Sequence, residues 1–516
     1  MQIPSLIAIS ILLLFQDLHG QNVMISNSNE PNEPSIIMDP KNPNVLMAAS
    51  NIDNYYFSLD SGYTWTEQRL TSNHGVWGDP CLVVDTASNF YFFHLSNPSV
   101  VGNWLDRIVC QKTSDKGGTW PTDSYAGLND FRVQDKEWCA IDRQNNNMYV
   151  TWTQFDSYSS SNPLDSSVIL FSKSLDGGNN WSIPIRISKV AGDCLDDDNT
   201  VEGAVPAVGP NGEIYVSWAG PNGLVFNKSL DQGNTWLTSE TTICAIPGGW
   251  NYNISGIMRS NGLPITLCDV SNGPNRGTIY VNWSDQRNGI DNTDIWMVKS
   301  LDGGQTWTSP LMINTDASNR QQFFTWMTID QTNGNLYAVF YDRSKYSDDS
   351  TDVVIAKSTD GGNSFENFTI SESPFFPNDA IFFGDYTNIT VHNGVVRPIW
   401  TRLNNGVLSV WTDVSNLEKP LKAQSNSNDL FSFENYPNPV EDYAFVSFKL
   451  RMNSVVNLTV TDAQGNILST LIAKEIRKQG KYIERICLNE LGLSKGLYFL
   501  KLEVDDQLKV LRQIKL

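Results

Sequence analysis

Short apolar segments alternate with polar turns along the whole chain, and most of these segments have the two-residue period of a β-strand. Seven of them resemble one another and are rich in Tyr or Trp. They are NVLMAAS (44–50), NFYFFHL (89–95), NMYVTWT (147–153), EIYVSWA (213–219), TIYVNWS (278–284), NLYAVFY (335–341) and GVVRPIWTR (394–402). Each follows a shorter strand that ends in a turn rich in Asp, Asn or Gly, so the pattern predicts seven β-hairpins.

A second repeat, SLDGGQTW (300–307), occurs in six versions that are 55 to 71 residues apart. The other five are SLDSGYTW (58–65), TSDKGGTW (113–120), SLDGGNNW (174–181), SLDQGNTW (229–236) and STDGGNSF (358–365). A period long enough for one four-stranded sheet predicts a propeller or a similar array. The fifth-position Gly suits the positive φ of a tight turn, the Asp carboxylate accepts turn N–H groups, and the final aromatic residue packs between sheets.

Seven strand repeats but only six eight-residue repeats leave the last unit (388–412) without a final strand. The segment NVMISN (22–27) resembles the outer strands IPIRIS (183–188) and PLMINT (310–315). We therefore predict an all-β fold with a seven-bladed β-propeller that the N-terminal strand closes. A six-bladed ring with an extra sheet is the alternative.

The two ends of the chain differ from this array. Residues 1–20 contain an apolar run from Pro4 to Phe15, which predicts an export signal although no Lys or Arg precedes it. No other stretch approaches the length of a transmembrane helix. The predicted propeller covers 21–415, a polar linker covers 416–430, and the alternating strands of 431–516 predict a small β-sandwich.

Composition narrows the classes of function. The chain has 36 basic and 56 acidic residues and a net charge of −20, which disfavours nucleic acid as a partner. Seven cysteines show no Cys-x-x-Cys spacing, and only four histidines occur. The sequence therefore offers few residues from which a His-rich zinc site or a Ser-His-Asp catalytic triad could be built.

The six repeats resemble the Asp-boxes, or BNR repeats, of the sialidase-like propeller superfamily, and this resemblance covers about residues 22–415. In that family the boxes lie on the face away from the active site. The resemblance therefore implies a structural role for Asp60, Asp115, Asp176, Asp231, Asp302 and Asp360.

The tail resembles a different family, the C-terminal sorting domain of the type IX secretion system of Bacteroidetes. The matching phrases are YPNPV (436–440), VTDAQGNIL (460–468), KGLYFLKLE (495–503) and RQIKL (512–516). This resemblance implies handling by the type IX machinery, followed by release or attachment at the outer-membrane surface.

Family ligands bind where the first strands begin and the second strands end. Acidic residues occupy the predicted first-strand starts: Glu33, Asp79, Asp135, Glu137, Glu202 and Asp385. The second strands end in Arg287, Arg343 and Arg402, which resemble the arginine triad with which sialidases hold a carboxylate. Asp285 and Asp342 adjoin the first two, so ion pairs between blades are the alternative interpretation. The resemblance implies Tyr386 and Glu202 as a nucleophile pair, with Asp79 and Asp385 as further catalytic candidates.

One departure argues against true sialidase activity. The family has an arginine in a Phe/Tyr-Arg-Ile-Pro phrase ahead of the first box, but residues 22–57 contain no arginine. Arg186 lies on a predicted outer strand and does not replace it. A secreted protein directed at glycans is expected, with binding and glycoside hydrolysis both open, and a non-catalytic adhesion or protein-interaction module is the alternative.

Clustered carboxylates in CLDDDNTVE (194–202) offer oxygen ligands of the kind that calcium prefers. The candidate ligands are Asp196, Asp197 and Asp198. The loop has no EF-hand pattern, so a solvated loop is the other interpretation. We expect no required cofactor.

Overall fold

The computed structural model of the chain describes residues 21–99, 104–316, 318–415, 417, 431–436, 440, 442–462, 466–505 and 507–515. They belong to two compact units, of which the first ends at residue 418 and the second begins at residue 419. The predicted export signal (1–20) and nearly all of the predicted linker (416–430) lie outside the described residues. All regular secondary structure within these ranges is β-strand.

The first unit contains seven four-stranded sheets and one two-stranded sheet. The first strand of the chain is β1 (Asn22–Ser26). The first three sheets contain β2 (Ser35–Met38), β3 (Leu46–Ser50), β4 (Asn54–Ser58) and β5 (Thr66–Arg69); β6 (Gly78–Val84), β7 (Phe90–Leu95), β8 (Ile108–Thr113) and β9 (Thr122–Ala126); and β10 (Val133–Ile141), β11 (Met148–Phe155), β12 (Ser167–Ser174) and β13 (Ile185–Arg186).

The next three sheets follow the same antiparallel order. The fourth contains β14 (Glu202–Val208), β15 (Ile214–Gly220), β16 (Gly223–Ser229) and β17 (Thr241–Cys244), and a separate hairpin of β18 (Asn251–Tyr252) and β19 (Ser260–Asn261) follows it. The fifth and sixth contain β20 (Ile265–Cys268), β21 (Ile279–Asp285), β22 (Asp294–Ser300) and β23 (Leu311–Met312); and β24 (Gln322–Asp330), β25 (Asn335–Asp342), β26 (Asp352–Ser358) and β27 (Glu366–Thr369).

The seventh sheet joins the two ends of the first unit. It contains β28 (Asn388–His392), β29 (Val395–Asn404) and β30 (Val407–Asp413), and β1 pairs with β30 as its outer strand. Asn22 lies opposite Asp413, and Met24 lies opposite Trp411. Each innermost strand contacts the innermost strand of the next sheet, and β28 contacts β2. The seven sheets therefore form a closed propeller in which the N-terminal strand completes the last blade.

Because consecutive strands of each sheet are antiparallel, successive turns lie on opposite faces of the ring. The turns between first and second strands and between third and fourth strands lie on one face, which we call the Asp-box face because the six repeats occur there. The innermost strands begin on the opposite face, which we call the strand-start face.

The six Asp-box turns use one set of hydrogen bonds. In the fifth sheet, Asp302 Oδ1 accepts the backbone N–H of Thr306 at 2.9 Å, and Oδ2 accepts its hydroxyl at 2.6 Å. Ser300 Oγ donates to Asp302 Oδ1 and accepts the N–H of Gly304, whose φ of 80° is left-handed. The same Asp contacts recur at 60, 115, 176, 231 and 360. These carboxylates hold the turns, as the sequence predicts.

Aromatic residues fill the spaces between sheets. Trp152, Trp218, Trp283 and Trp400 of the second strands are fully buried. The box residue Trp307 packs against Phe226 of the preceding sheet with ring centroids 5.1 Å apart. Each box therefore links two blades as well as closing a turn.

The second unit has two sheets. One contains β31 (Phe431–Tyr436), β32 (Tyr443–Leu450) and β35 (Gly480–Cys487), and the other contains β33 (Ser454–Thr461), β34 (Ile467–Arg477), β36 (Gly496–Val504) and β37 (Gln507–Lys515). Apolar residues from both sheets form one buried cluster that includes Phe448, Val460 and Leu502. This arrangement is a small β-sandwich.

Candidate functional site

The innermost strands begin with irregular backbone on the strand-start face. β6, β10, β14 and β24 each change pairing register within their first residues. Asp79 and Lys136 both have a φ of 52°, and Phe324 has a φ of 51°. A bulge redirects the neighbouring side chains, so charged residues from several blades can meet near the axis of the ring.

Lys136 lies at the centre of these charged residues. Its Nζ atom is 2.7 Å from Asp385 Oδ2, 3.5 Å from Asp79 Oδ2 and 3.9 Å from Glu33 Oε1. The four residues precede or begin innermost strands of four different sheets, and all are at least nine-tenths buried. One buried ammonium therefore joins three carboxylates.

A second cation comes from the insertion between the fourth and fifth sheets. Arg259, just before β19, donates from Nε to Asp385 Oδ1 at 3.0 Å and makes a second bond to Oδ2. Its Nη1 atom is 3.4 Å from Asp196 Oδ2. Asn261 of the same insertion donates to the backbone oxygen of Asp385 at 2.9 Å. We call Glu33, Asp79, Lys136, Arg259 and Asp385 the Lys136 cluster.

The sequence did not single out either cation. Lys136 stands between the predicted acidic residues Asp135 and Glu137, and this mixed-charge triplet was the available signal. Arg259 belongs to no repeat, because among the described residues its hairpin occurs in a single blade. No sequence pattern pointed to it.

The surroundings of these buried carboxyl groups shift their pKa values in opposite directions. Burial alone would raise the pKa of Asp385, but Lys136 and Arg259 hold it well below its usual value. Burial raises the pKa of Glu137 and of Glu202, and the neighbouring carboxylates Asp79 and Asp196 raise them further. Asp385 is therefore ionised, whereas Glu137 and Glu202 favour the protonated form.

Tyr386 follows Asp385 and faces the same buried region. Burial and nearby carboxylates, with Asp79 the largest of them, raise the pKa of its hydroxyl well above the usual value. The hydroxyl has no hydrogen-bond partner among the described residues. A tyrosine nucleophile needs the opposite shift, so this hydroxyl is not activated in the structure.

The four catalytic candidates all lie in this region. Asp79 and Asp385 contact Lys136, and Tyr386 is adjacent to Asp385. Glu202, at the start of β14, is buried and is electrostatically coupled to Asp196, Asp135 and Lys136. The structure brings these candidates together but encloses them.

The three predicted substrate arginines have separate partners. Arg287 pairs with Asp285 and stacks over Trp296 of its own sheet. Arg343 is fully buried and lies 3.2 Å from Asp349.

Arg402 donates to Ser373 Oγ at 2.8 Å and stacks over Trp411 and Phe375. None of these arginines contacts the Lys136 cluster within the part of the chain that the structure describes. The structure therefore does not gather the three guanidiniums around one channel mouth, because each is held by its own blade or its loop.

The three aspartates predicted as calcium ligands also point to different partners. Asp196 accepts the hydroxyl of Tyr158 at 2.6 Å, whereas Asp197 and Asp198 accept N–H groups of Asn251. Across the described ranges, no group of three or more His, Cys, Asp or Glu side chains could hold a metal ion. Asn251 and Arg259 of the insertion therefore engage all three carboxylates, and Asp196 also bonds to Tyr158.

Two small cavities contact the Lys136 cluster. Their volumes are about 30 and 10 Å³, so each is about large enough for a water molecule. Trp138 and Trp326 lie deeper in the channel with ring centroids 4.3 Å apart, and Tyr386 is 5.1 Å from Trp138. These rings close the channel below the cluster.

An exposed aromatic patch continues outward from the cluster. Trp77, directly before β6, is 41% exposed, and Trp104, between β7 and β8, is 38% exposed. Their rings make an edge contact at 5.5 Å, and Trp104 contacts Tyr158 at 5.8 Å. Tyr158 bonds to Asp196, which pairs with Arg259. Contacts therefore run without a break from the exposed patch to Arg259, which is the exposed edge of the otherwise buried Lys136 cluster.

Comparison with known protein families identifies the second unit. Residues 434–515 match the model of the secretion system C-terminal sorting domain. The second unit is a secretion sorting domain. It directs the protein through type IX secretion to the cell exterior, where the protein is secreted or attached to the outer-membrane surface. A search of the described residues finds no helix long and apolar enough to span a membrane.

The chain is also similar to a curated sialidase from Bacteroides fragilis (strain YCH46). The two are 27% identical over 319 residues, which is 54% of this chain and 52% of that protein. The chain therefore spans about half the length of this relative.

Solved structures with related folds include two glycan-cleaving enzymes. One is a GH93 α-L-arabinofuranosidase of Fusarium graminearum, with a TM-score of 0.45, 13% identity, and coverage of 78% of this chain and 99% of that one. The other is a sialidase of Streptococcus pneumoniae, with a TM-score of 0.44, 9% identity, and coverage of 72% and 83%. The sheet order, rather than these distant likenesses, establishes the propeller fold.

Proposed function

We propose that the protein is a secreted or surface-attached glycan-binding propeller that engages its ligand through the strand-start face. The observation that carries this proposal is the continuity of the exposed Trp77–Trp104 patch with the Lys136 cluster. Aromatic rings offer rigid apolar area for the C–H face of a sugar, and the adjacent charged groups can accept or donate to its hydroxyls. Similarity to a sialidase supports a glycan as the ligand class.

One distance in the site is compatible with hydrolysis, but three other features favour binding. The carboxylate oxygens of Asp385 and Asp79 that contact Lys136 are at most about 6 Å apart, which is compatible with glycosidase spacing. However, the ammonium of Lys136 contacts both of them, and the cavities beside the cluster hold only water-sized groups. The raised pKa of Tyr386 disfavours its action as a nucleophile.

Glycoside hydrolysis is the second candidate, and one observation favours it. The environment keeps Asp385 ionised while it raises the pKa of Glu202 and Glu137. Carboxyl groups with divergent acidities are what acid and base roles require. Hydrolysis through Asp79, Glu202, Asp385 or Tyr386 would need the Lys136 contacts to open around a substrate.

A glycan array and a sugar-release assay on the full-length protein separate these candidates. For binding, we expect selected glycans to be retained without release of free sugar. Trp77→Ala and Trp104→Ala should each weaken binding about tenfold, because each removes a stacking surface. Tyr63→Ala is the matched control, since Tyr63 is 47% exposed in an Asp-box on the other face.

The remaining outcomes decide against the proposal. Release of sugar that disappears in Glu202→Gln or Tyr386→Phe would establish a hydrolase instead. Absence of glycan binding, with a protein ligand retained on the same Trp77 surface, would establish the protein-interaction alternative. Equal loss of glycan binding in Tyr63→Ala and Trp77→Ala would contradict the assignment of the face.

A further inference from the structure

A large cavity of the propeller lies on the Asp-box side of its channel and takes no part in the proposed glycan site. Its volume is about 490 Å³, within the range of small-molecule pockets. Trp138 and Trp326 line both this cavity and the small one beside the Lys136 cluster. The two rings therefore form the closed end of a blind channel that opens on the Asp-box face.

Apolar groups form about half of the exposed wall of this channel. Six different sheets contribute half-buried apolar side chains, namely Ile37, Ile141, Val208, Leu267, Trp326 and Val391. These side chains keep accessible surface inside the ring. An apolar ligand that covered them would gain free energy roughly in proportion to the area removed from water.

Three basic residues lie at the mouth of the channel, and the two arginines carry the charge because burial lowers the pKa of the histidine. Arg143, Arg276 and His392 line it, and all three lie at or beyond the ends of innermost strands on the Asp-box face. The Arg143 guanidinium makes no hydrogen bond or ion pair with any residue that the structure describes. Arg276 donates to backbone oxygens of its own turn, including that of Ser271 at 2.9 Å.

The acidic residue at this mouth is already engaged. Asp142 accepts the N–H of Gln144 at 2.9 Å and the side-chain amide of Asn145 at 2.8 Å. Asp142 is also buried, whereas Arg143 is exposed to the mouth. Asp39 lies near enough to stabilise the charge of Arg143 but forms no ion pair with it, so this guanidinium can still pair with an anionic group that enters the mouth.

We propose that this channel binds a fatty acid, with the acyl chain directed toward Trp326 and the carboxylate held by Arg143. The apolar part of the blind channel fits a single flexible chain, and the guanidinium matches the head group in charge and in bidentate geometry. Free fatty acid and the acyl chain of a membrane lipid share this chemistry. The site is independent of the glycan surface on the other face.

Titration of the full-length protein with cis-parinaric acid, a fluorescent polyunsaturated fatty acid, tests the proposal. We expect saturable binding of one molecule, with energy transfer from the channel tryptophans. Arg143→Glu should weaken binding at least tenfold, because it reverses the charge at the mouth. Arg186→Glu makes the same charge change on the exposed outer strand β13 and should leave affinity unchanged.

A second variant tests the channel itself. Thr328 is half-buried and lines the cavity, so Thr328→Trp should fill the channel and abolish binding. Ile183→Trp, at a position 87% exposed, is its control. Should Thr328→Trp fail to fold, the Arg143→Glu and Arg186→Glu pair still decides the outcome.

The source of the acyl chain is tested with phosphatidylcholine vesicles that contain a parinaroyl phospholipid. Binding of the free acid alone identifies a free fatty acid, and transfer from vesicles identifies a membrane lipid; both support the proposal. Absence of saturable binding in both arms would overturn it. Equal affinity of Arg143→Glu, Arg186→Glu and the unmodified protein would also overturn it.

Discussion

The two faces of the propeller use the same residue type, aspartate, in opposite ways. On the Asp-box face, Asp231 is surrounded by turn donors, and the Thr235 hydroxyl and N–H lower its pKa to about 2. On the strand-start face, burial raises the pKa of Asp135 to about 7 despite the adjacent Lys136. A carboxylate that local N–H groups satisfy is structural, whereas one held in place by distant blades is available for function.

The repeated and the non-repeated contacts are divided between the same two faces. The Asp-box bonds recur in six blades because each blade needs the same turn. Lys136 and Arg259 are not part of a repeat, and their contacts join elements that are far apart in the chain. In this protein, repetition marks what folds the ring, and singular residues mark the surface where a ligand is recognised.

Removal of the central cation should have the largest effect on stability. Lys136→Met leaves Asp385, Asp79 and Glu33 buried beside an apolar side chain, so we expect the propeller to lose about 3–5 kcal/mol of unfolding free energy. Tryptophan fluorescence during denaturation measures this loss, since all 16 tryptophans lie in the propeller.

The control is Arg132→Met, which breaks a partly exposed pair with Asp156 at 2.8 Å and should cost under about 1 kcal/mol. Equal losses of unfolding free energy in the two variants would mean that the contacts of Lys136 stabilise the propeller no more than a surface ion pair does.

A pH series on Asp135→Asn should show a smaller and conditional effect. Because the folded pKa of Asp135 is raised to about 7, its contribution to stability is full below the unfolded value and falls as the pH rises toward 7. We expect the variant to melt at a higher temperature than the unmodified protein at pH 8 and at a similar temperature at pH 4. A difference in melting temperature that does not change with pH would contradict the raised pKa.

Loss of one Asp-box carboxylate should have a smaller effect still. Asp60 Oδ1 accepts the N–H of Thr64 at 2.9 Å, and Oδ2 accepts its hydroxyl at 2.7 Å. Asp60→Ala should therefore cost about 1–2 kcal/mol and leave glycan affinity unchanged. Leu59→Ala, in the same turn but 54% exposed, should have almost no effect on melting. Reduced glycan affinity at unchanged stability in Asp60→Ala would contradict the structural role.

The Asp60 carboxylate should also show the opposite pH response. Hydrogen bonds to Thr64 and Ser58 outweigh burial and lower its pKa. Its stabilisation is present above the unfolded pKa and is lost as the pH falls through the lowered folded value. The melting difference between Asp60→Ala and the unmodified protein should therefore shrink in acid.

Local patterns predicted most of the fold. The seven strand repeats indicate seven sheets, and the likeness of residues 22–27 to outer strands correctly indicates which segment completes the last one. These features depend on neighbouring residues and on period-two burial, both of which are visible in a sequence. The six box turns were predictable for the same reason.

The site was only partly predictable because it depends on contacts between blades. The acidic starts of the innermost strands were found, since each precedes a recognisable strand. The pairing of Asp385 with Lys136 joins residues 249 positions apart, and the hairpin that carries Arg259 has no counterpart in the described parts of the other blades. Arg343 illustrates the converse: its place at a strand end was predicted, but Asp349 and burial in its own loop hold it away from the mouth.

The most direct test of the account is amide hydrogen exchange on the full-length protein with and without the strongest glycan from the array. We predict slower exchange in the segments around Trp77, Trp104 and Arg259 on the strand-start face, and no change in the six Asp-box turns. Protection confined to the Asp-box turns, or no protection on the strand-start face at saturating glycan, would contradict the assignment of the two faces.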